Sequence, residues 1–181
     1  MVIIFGPAGS GKSVQGQMLA EKLGWRWLSM GQLLRDSSDA EINKIILAGG
    51  LVSSRKTNEI IQKAIDINSN TENVILDGYP RTLDQAEWLV KNQPLYKKSI
   101  GVVIVLELDR SEIIKRLALR GRADDTPEVI DERLSLYKKE IHPILNYFTE
   151  NNISISHIDG LGTTDQVHER IIRELESCNL V

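Results

Sequence analysis

The stretch Val2-Ile-Ile-Phe5-Gly6-Pro-Ala-Gly9-Ser10-Gly11-Lys12-Ser13-Val14 decides how this chain is read. Four consecutive apolar residues describe a strand buried on both faces, and the segment Val14 to Leu23 that follows has the spacing of a helix. Between them Gly6 to Ser13 fits G-x-x-x-x-G-K-[ST] in the setting that motif requires. Glycines at these positions let consecutive backbone N–H groups turn inward around a polyphosphate, and the helix N-terminus adds partial positive charge. Lys12 can reach the outer phosphates as a point charge, and the Ser13 hydroxyl is placed to ligate Mg²⁺. An ordinary glycine-rich turn is the alternative. Agreement of all eight positions and of both flanking elements favours the phosphate loop.

The chain has 181 residues, 41% of them hydrophobic and 26% charged, as in a soluble globular protein of one domain. A net charge of −3 argues against a general nucleic-acid binder, so anion binding should be local to a few cations. No apolar run has the length of a signal or membrane segment, which predicts a cytoplasmic protein with no membrane partner. One cysteine, Cys178, leaves neither a disulfide framework nor a cysteine-ligated zinc site to expect.

Further apolar runs at Trp27-Leu28, Val74–Leu76, Val102–Leu106 and Ile153–Ile158 read as parallel strands. Helical stripes alternate with them: Ile60, Ile61, Ala64 and Ile65; Leu83, Ala86, Leu89 and Val90; Ile113, Ile114, Leu117 and Ala118. A long helix is expected from Pro127 to Phe148 with Thr126 as N-cap, and a last one carrying Val167, Ile171 and Leu175. The alternation predicts a three-layer α/β fold around a parallel five-stranded sheet. Two stretches interrupt it. Met30 to Lys56 holds two short helical patterns with no strand between them, and Arg120 to Asp125 is a polar, charged stretch between helices.

Asp77 ends the third strand, at the edge where open α/β sheets bind ligands, and so is a natural partner of Ser13 around Mg²⁺. A set of arginines, Arg35, Arg81, Arg116, Arg120, Arg122 and Arg133, is the second clue. Phosphoryl transfer between two phosphates spreads negative charge over a loose transition state, which calls for fixed cations. An acceptor phosphate with a second pKa of about 6 is already largely dianionic at neutral pH, so no catalytic histidine is needed. His142 and His157 are read as surface or packing residues.

At this point the chain resembles the adenylate kinase family of nucleoside monophosphate kinases along nearly its whole length. Asp77-Gly-Tyr-Pro-Arg81 followed by Gln85 is similar to D-G-[FY]-P-R-x-x-x-Q, and Ser29 to Arg35 to S-T-G-D-L-L-R. Ala48 to Val52 resembles A-G-x-L-V, and Gly121-Arg122-Ala-Asp124-Asp125 with Arg133 resembles G-R-x-D-D followed by R-L. The resemblance implies a P-loop NTPase fold of one domain over residues 1–181. Residues 29–58 would form an acceptor-binding subdomain and 116–126 a short lid. Position by position, it implies that Gly9, Ser10, Gly11, Lys12, Ser13 and Val14 hold ATP, with Arg116 packing on its base and Gly162 beside the far edge. Arg35, Val52, Gly78, Arg81 and Gln85 would bind AMP, Gln85 reading the base. Arg122 and Arg133 would bridge the transferring phosphate, so that Lys12, Arg81, Arg116, Arg122 and Arg133 are the expected catalytic set. Ser13 and Asp77 would serve Mg²⁺, with water between.

The expected reaction is ATP + AMP ⇌ 2 ADP by a monomer; a kinase for UMP or CMP and a slow nucleotide-binding protein are the alternatives. Ser13-Val14 stands where the family has Gly-Thr, and Met30 and Gln32 stand where it has Thr and Asp. Because that Thr lies near the acceptor base, Met30 is expected to add an apolar contact there and to narrow the preference for AMP.

Overall fold

Strand β1 (Val2–Phe5) is buried along its whole length because it lies at the centre of a sheet covered on both faces. It pairs in parallel with β3 (Val74–Asp77) on one side and with β4 (Val102–Glu107) on the other. Strands β2 (Arg26–Ser29) and β5 (Ile155–Asp159) complete a five-stranded parallel sheet in the order β2-β3-β1-β4-β5. The connection from β1 runs to β2 on one side and that from its neighbour β3 runs to β4 on the other, which opens a crevice above the ends of these two strands, where ligands bind in such sheets. The computed structural model describes residues 1–47, 52–96, 98–120 and 126–181.

Period-two geometry sends alternate residues of β1 to opposite layers. Ile3 and Phe5 join a core made with α4 (Ser54–Ile67), α5 (Leu83–Tyr96) and α7 (Pro127–Glu150), through Ile61, Leu89, Ile144 and Phe148. Val2 and Ile4 face α1 (Lys12–Leu23) and α8 (Thr164–Ser177), through Leu19, Val167, Ile171 and Leu175. Each such fully buried side chain contributes about 1.5–3 kcal/mol relative to exposure, so the sheet is the rigid base on which the loops stand. Helix α1 approaches β2 closely because position 16 has no side chain: a Cβ there would lie 2.6 Å from Trp27 Cδ1. The expected strands are all present, with β5 displaced to Ile155–Asp159 from the anticipated 153–158. Thr126 caps α7 as expected, accepting a hydrogen bond from the Val129 N–H, with Pro127 next to it.

The helical excursion consists of α2 (Met30–Arg35), α3 (Ala40–Leu47) and the first turn of α4. Asp39 begins α3 by accepting from the Glu41 and Ile42 N–H groups at 2.8 and 3.3 Å, which holds its carboxyl below the usual range. Lys56 of α4 pairs with Asp39 and with Glu41, tying α3 to α4. Between α6 (Arg110–Arg120) and α7 a small third core gathers Ile113, Leu117 and Ile130 against Ala8 of the glycine loop. Among the described residues, no helix is long and apolar enough to cross a membrane.

Met30 departs from expectation. Its side chain is 1% exposed and belongs to the core with Leu28 and Ile61, so it supplies packing where a contact to an acceptor base was anticipated. A residue that opens α2 directly after β2 has its side chain directed by the strand toward the sheet's covered face. Met30→Thr, which shortens the side chain and buries a hydroxyl, should cost about 2–4 kcal/mol of stability. Urea unfolding of the parent and the variant checks this; midpoints that coincide would return Met30 to the cleft wall.

Candidate active site

Lys12 to Val14 begin α1, and the chain enters that helix through Gly11 at φ 92°, a left-handed conformation that a Cβ would strain. The loop's backbone turns back on itself, with the Ser10 N–H donating to the Pro7 carbonyl at 3.2 Å. Lys12 Nζ lies over the same turn, donating to the carbonyls of Gly6 at 2.6 Å and Pro7 at 2.9 Å. Its ammonium is therefore held at the phosphate loop. Gly9 to Gln15 form the floor of a cleft of about 870 Å³, walled by Glu112, Arg116, Leu117 and Leu119 of α6 and by Gly162 to Thr164. The structure thus brings together every residue expected on the ATP side: Gly9, Ser10, Gly11, Lys12, Ser13, Val14, Arg116 and Gly162.

The far wall of this cleft is fixed from several directions. Arg116 Nε donates to Glu112 Oε1 at 2.9 Å, and its Nη2 donates to the Gly160 carbonyl at 3.0 Å. Arg170 Nη1 donates to the carbonyls of Asp159 and Leu161 at 2.8 and 2.6 Å. Thr163 and Gln166 close a reciprocal capping box at the start of α8.

The Ser13 hydroxyl donates to Asp77 Oδ2 at 2.7 Å, although 64 residues separate them in the chain. Asp77 is 3% exposed, and β1–β3 pairing carries its carboxylate to the first turn of α1. A hydroxyl and a carboxylate side by side form an all-oxygen pair suited to Mg²⁺ and its waters. Val14, where the family has its threonine, is 49% exposed, so Ser13 is the hydroxyl that meets Asp77. Among the described residues there is no cluster of three His, Cys, Asp or Glu that could hold a metal, so a cation at this pair would draw further ligands from phosphate oxygens and water.

Immediately after Asp77 comes the second half of the site. Arg81 Nε donates to the Gly78 carbonyl at 2.8 Å, and the Arg81 N–H donates to Gln85 Oε1 at 2.8 Å. Gln85 is 4% exposed, and its Nε2 reaches Ser54 Oγ of α4 at 3.4 Å. Tyr79, fully buried, donates from its hydroxyl to Asn58 Oδ1 at 2.8 Å. With Thr82 Oγ1 3.5 Å from Ser54 Oγ, these contacts bind the 77–85 segment to α4. Through Ser13 and Asp77 a hydrogen bond ties the start of this segment to the glycine loop.

A family model for adenylate kinase matches residues 4–153. Adenylate kinases of Mycobacterium ulcerans and Mycobacterium marinum are each 36% identical to the chain over 180 residues, covering 96% of it and 98% of their own length. That of Nocardia farcinica is 34% identical over the same span. The chain belongs to the adenylate kinase family. It is accordingly a nucleotide-binding phosphotransferase of the P-loop type, with ATP as phosphoryl donor.

Within the adenylate kinase frame, Arg35, Val52 and Arg133 are not among the residues that line the glycine-loop cleft. Arg35 is exposed on α2 and donates to Gln32 Oε1 at 2.8 Å, while Gln32 Nε2 donates to Asp36, so this arginine is held by its own helix and not by the 77–85 loop. Val52 is half-buried just before α4, and Arg133 is half-buried in α7. Residues 121–125 of the expected lid, Arg122 among them, and the Ala48 to Leu51 part of the A-G-x-L-V motif lie outside the described residues, as does the side chain of Arg120. His142 is exposed, and His157 is exposed with its Nδ1 2.7 Å from Glu107 Oε1.

Sequence reasoning missed a buried polar bridge behind the ATP side. Gln15, 3% exposed, donates from Nε2 to the Thr164 carbonyl at 2.8 Å, and its Oε1 lies 3.2 Å from His168 Nδ1. With the amide's nitrogen committed to a carbonyl, its oxygen faces the ring, so Nδ1 carries the proton. Burial and then Lys22 lower the His168 pKa, Asp165 opposing them, which keeps the ring neutral near pH 7. The available signal was His168's place beside the Val167–Ile171–Leu175 stripe. Only the fold reveals that the first and last helices meet there.

Proposed function

We propose that this chain is an adenylate kinase in activity as well as in family, moving the terminal phosphoryl group of ATP to AMP to give two ADP. The observation that carries the reading is the Ser13–Asp77 hydrogen bond, which joins the phosphate loop to the 77–85 segment, the two halves that the reading assigns to donor and acceptor. An AMP phosphate oxygen would form a bond to the γ-phosphorus while the bond from that phosphorus to the β–γ bridging oxygen breaks, ADP leaving. Lys12 and the inward N–H groups of the glycine loop would hold the donor phosphates; Arg81 and Arg35 would fix the acceptor phosphate. Arg122 and Arg133 would meet the transferring group as the 116–126 lid and the 29–58 subdomain close and exclude water. Mg²⁺ beside Ser13 and Asp77 would neutralise charge on the donor phosphates.

Gln85 supports adenine as the acceptor base. Its oxygen has two lone pairs, and the Arg81 N–H takes one, leaving one for an exocyclic amino group. Its Nε2, only 3.4 Å from Ser54 Oγ, can turn to a ring nitrogen. A site built on such a donor–acceptor pair discriminates strongly between bases. ADP production from ATP with AMP, CMP, UMP, GMP or no acceptor tests the reading. AMP should be the best acceptor by kcat/KM, and Gln85→Glu, which keeps the bond to Arg81 but loses the donor, should lower kcat/KM for AMP about 10–100-fold. A parent preferring UMP or CMP tenfold would replace this assignment with a pyrimidine kinase, and one that makes no ADP with any acceptor would leave a binding protein.

A further inference from the structure

We infer that Glu112 is a positioning residue for the donor base, acting through Arg116; this rests on the reading that Arg116 packs on that base. Arg116 is one turn after Glu112 on α6, and both side chains line the ATP-side cleft. Its guanidinium is held at two edges: Nε donates to Glu112 Oε1 at 2.9 Å, and across the cleft wall Nη2 donates to the Gly160 carbonyl at 3.0 Å and the Gly162 carbonyl at 3.5 Å. Bonds made by two different nitrogens of one planar group fix the orientation of its plane, not merely its position. The faces of that plane are what a base would stack on.

Each anchor alone is insufficient. With only the loop contacts, both made by Nη2, the long side chain could still swing about that one nitrogen; with only the Glu112 contact, it would stay against its own helix and leave the β5–α8 loop. The two side chains are 25% and 24% exposed, a partly desolvated setting in which a charge-assisted bond outweighs that of a fully exposed ion pair. Among the described residues, the other cation paired with the carboxylate is Lys115, 73% exposed and 3.9 Å from Oε2, on the oxygen that does not accept from Arg116 Nε. Arg170 secures the loop independently through Asp159 and Leu161, so loss of Glu112 leaves the loop itself in place. Glu112 thus acts on the base through the orientation of a neighbouring cation.

The test is steady-state kinetics with ATP and AMP varied separately, together with inhibition by inorganic tripolyphosphate, which has the phosphates but no base. Glu112→Ala should raise KM for ATP about three- to tenfold, leaving KM for AMP and the tripolyphosphate inhibition constant at parent values. Glu112→Gln, whose carbonyl still accepts from Nε, should stay near the parent. In an Arg116→Ala background, Glu112→Ala should add nothing. The proposal is overturned if Arg116→Ala raises KM for ATP while Glu112→Ala does not, or if the two effects simply add. It is also overturned if Glu112→Ala weakens tripolyphosphate as much as ATP, since that marks a general disturbance of the cleft. If Arg116→Ala itself leaves KM for ATP unchanged, the donor-base role of Arg116 falls and this proposal with it.

Discussion

Lys12→Ala should lower turnover by about two to four orders of magnitude, the loss of about 3–5 kcal/mol of transition-state stabilisation, while the protein stays folded. The side chain donates to the Gly6 and Pro7 carbonyls of its own loop, at the surface end of the sheet. Its cationic end is therefore held where charge would build up on the transferring group. Arginine at this position should not restore the rate, because a planar fork cannot replace a compact ammonium over so tight a turn. Single-turnover assays with saturating ATP and AMP measure the effect, with circular dichroism as the folding control. Turnover of Lys12→Ala within a few-fold of the parent would remove the phosphate-loop assignment.

Asp77→Asn should be the next most damaging change, lowering kcat about 100-fold or more and moving the Mg²⁺ requirement to higher concentration. Asparagine preserves shape, and its carbonyl can still accept from the Ser13 hydroxyl, so the link between β3 and α1 survives while the charge that attracts a hydrated cation is lost. Ser13→Ala should be milder, about tenfold, since phosphate oxygens and water can replace one neutral ligand. A Mg²⁺ titration of activity in the parent and both variants distinguishes the two roles. If Asp77→Asn kept parental turnover and Mg²⁺ dependence, the carboxylate would be no more than a cap on the turn that follows it.

These two outcomes concern residues that are legible in the sequence alone. Gly6 to Ser13 and Asp77 to Gln85 are local motifs: their spacing fixes backbone shape within a few residues, so both loops and their roles could be proposed from neighbours in the chain. Strand positions were equally plain, because a sheet covered on both faces needs continuous apolar runs at Val2, Val74 and Val102. Met30 shows where that kind of reading fails. A motif alignment sees only which residue stands in a column, whereas the side chain's direction depends on how α2 leaves β2 and on the room beside Ile61. Gln15 with His168, 153 residues apart, escaped for the same reason: a place beside a helical stripe names no partner, and their bond exists only because α1 and α8 pack on one face of the sheet.

The sequence by itself determined the alternation of strand and helix, the phosphate loop, the 77–85 loop and the family, since each is written in short-range periodicity or in fixed spacing. Only the tertiary structure decided which hydroxyl meets Asp77, that Met30 is core and that Arg35 is tied to Gln32. It also decided that Arg116 is held by Glu112 and Gly160 at once. Those facts depend on where parallel pairing and helix packing bring residues far apart in the chain, and a hydrogen bond of under 3 Å is too exacting in distance and direction for residue type and spacing to specify.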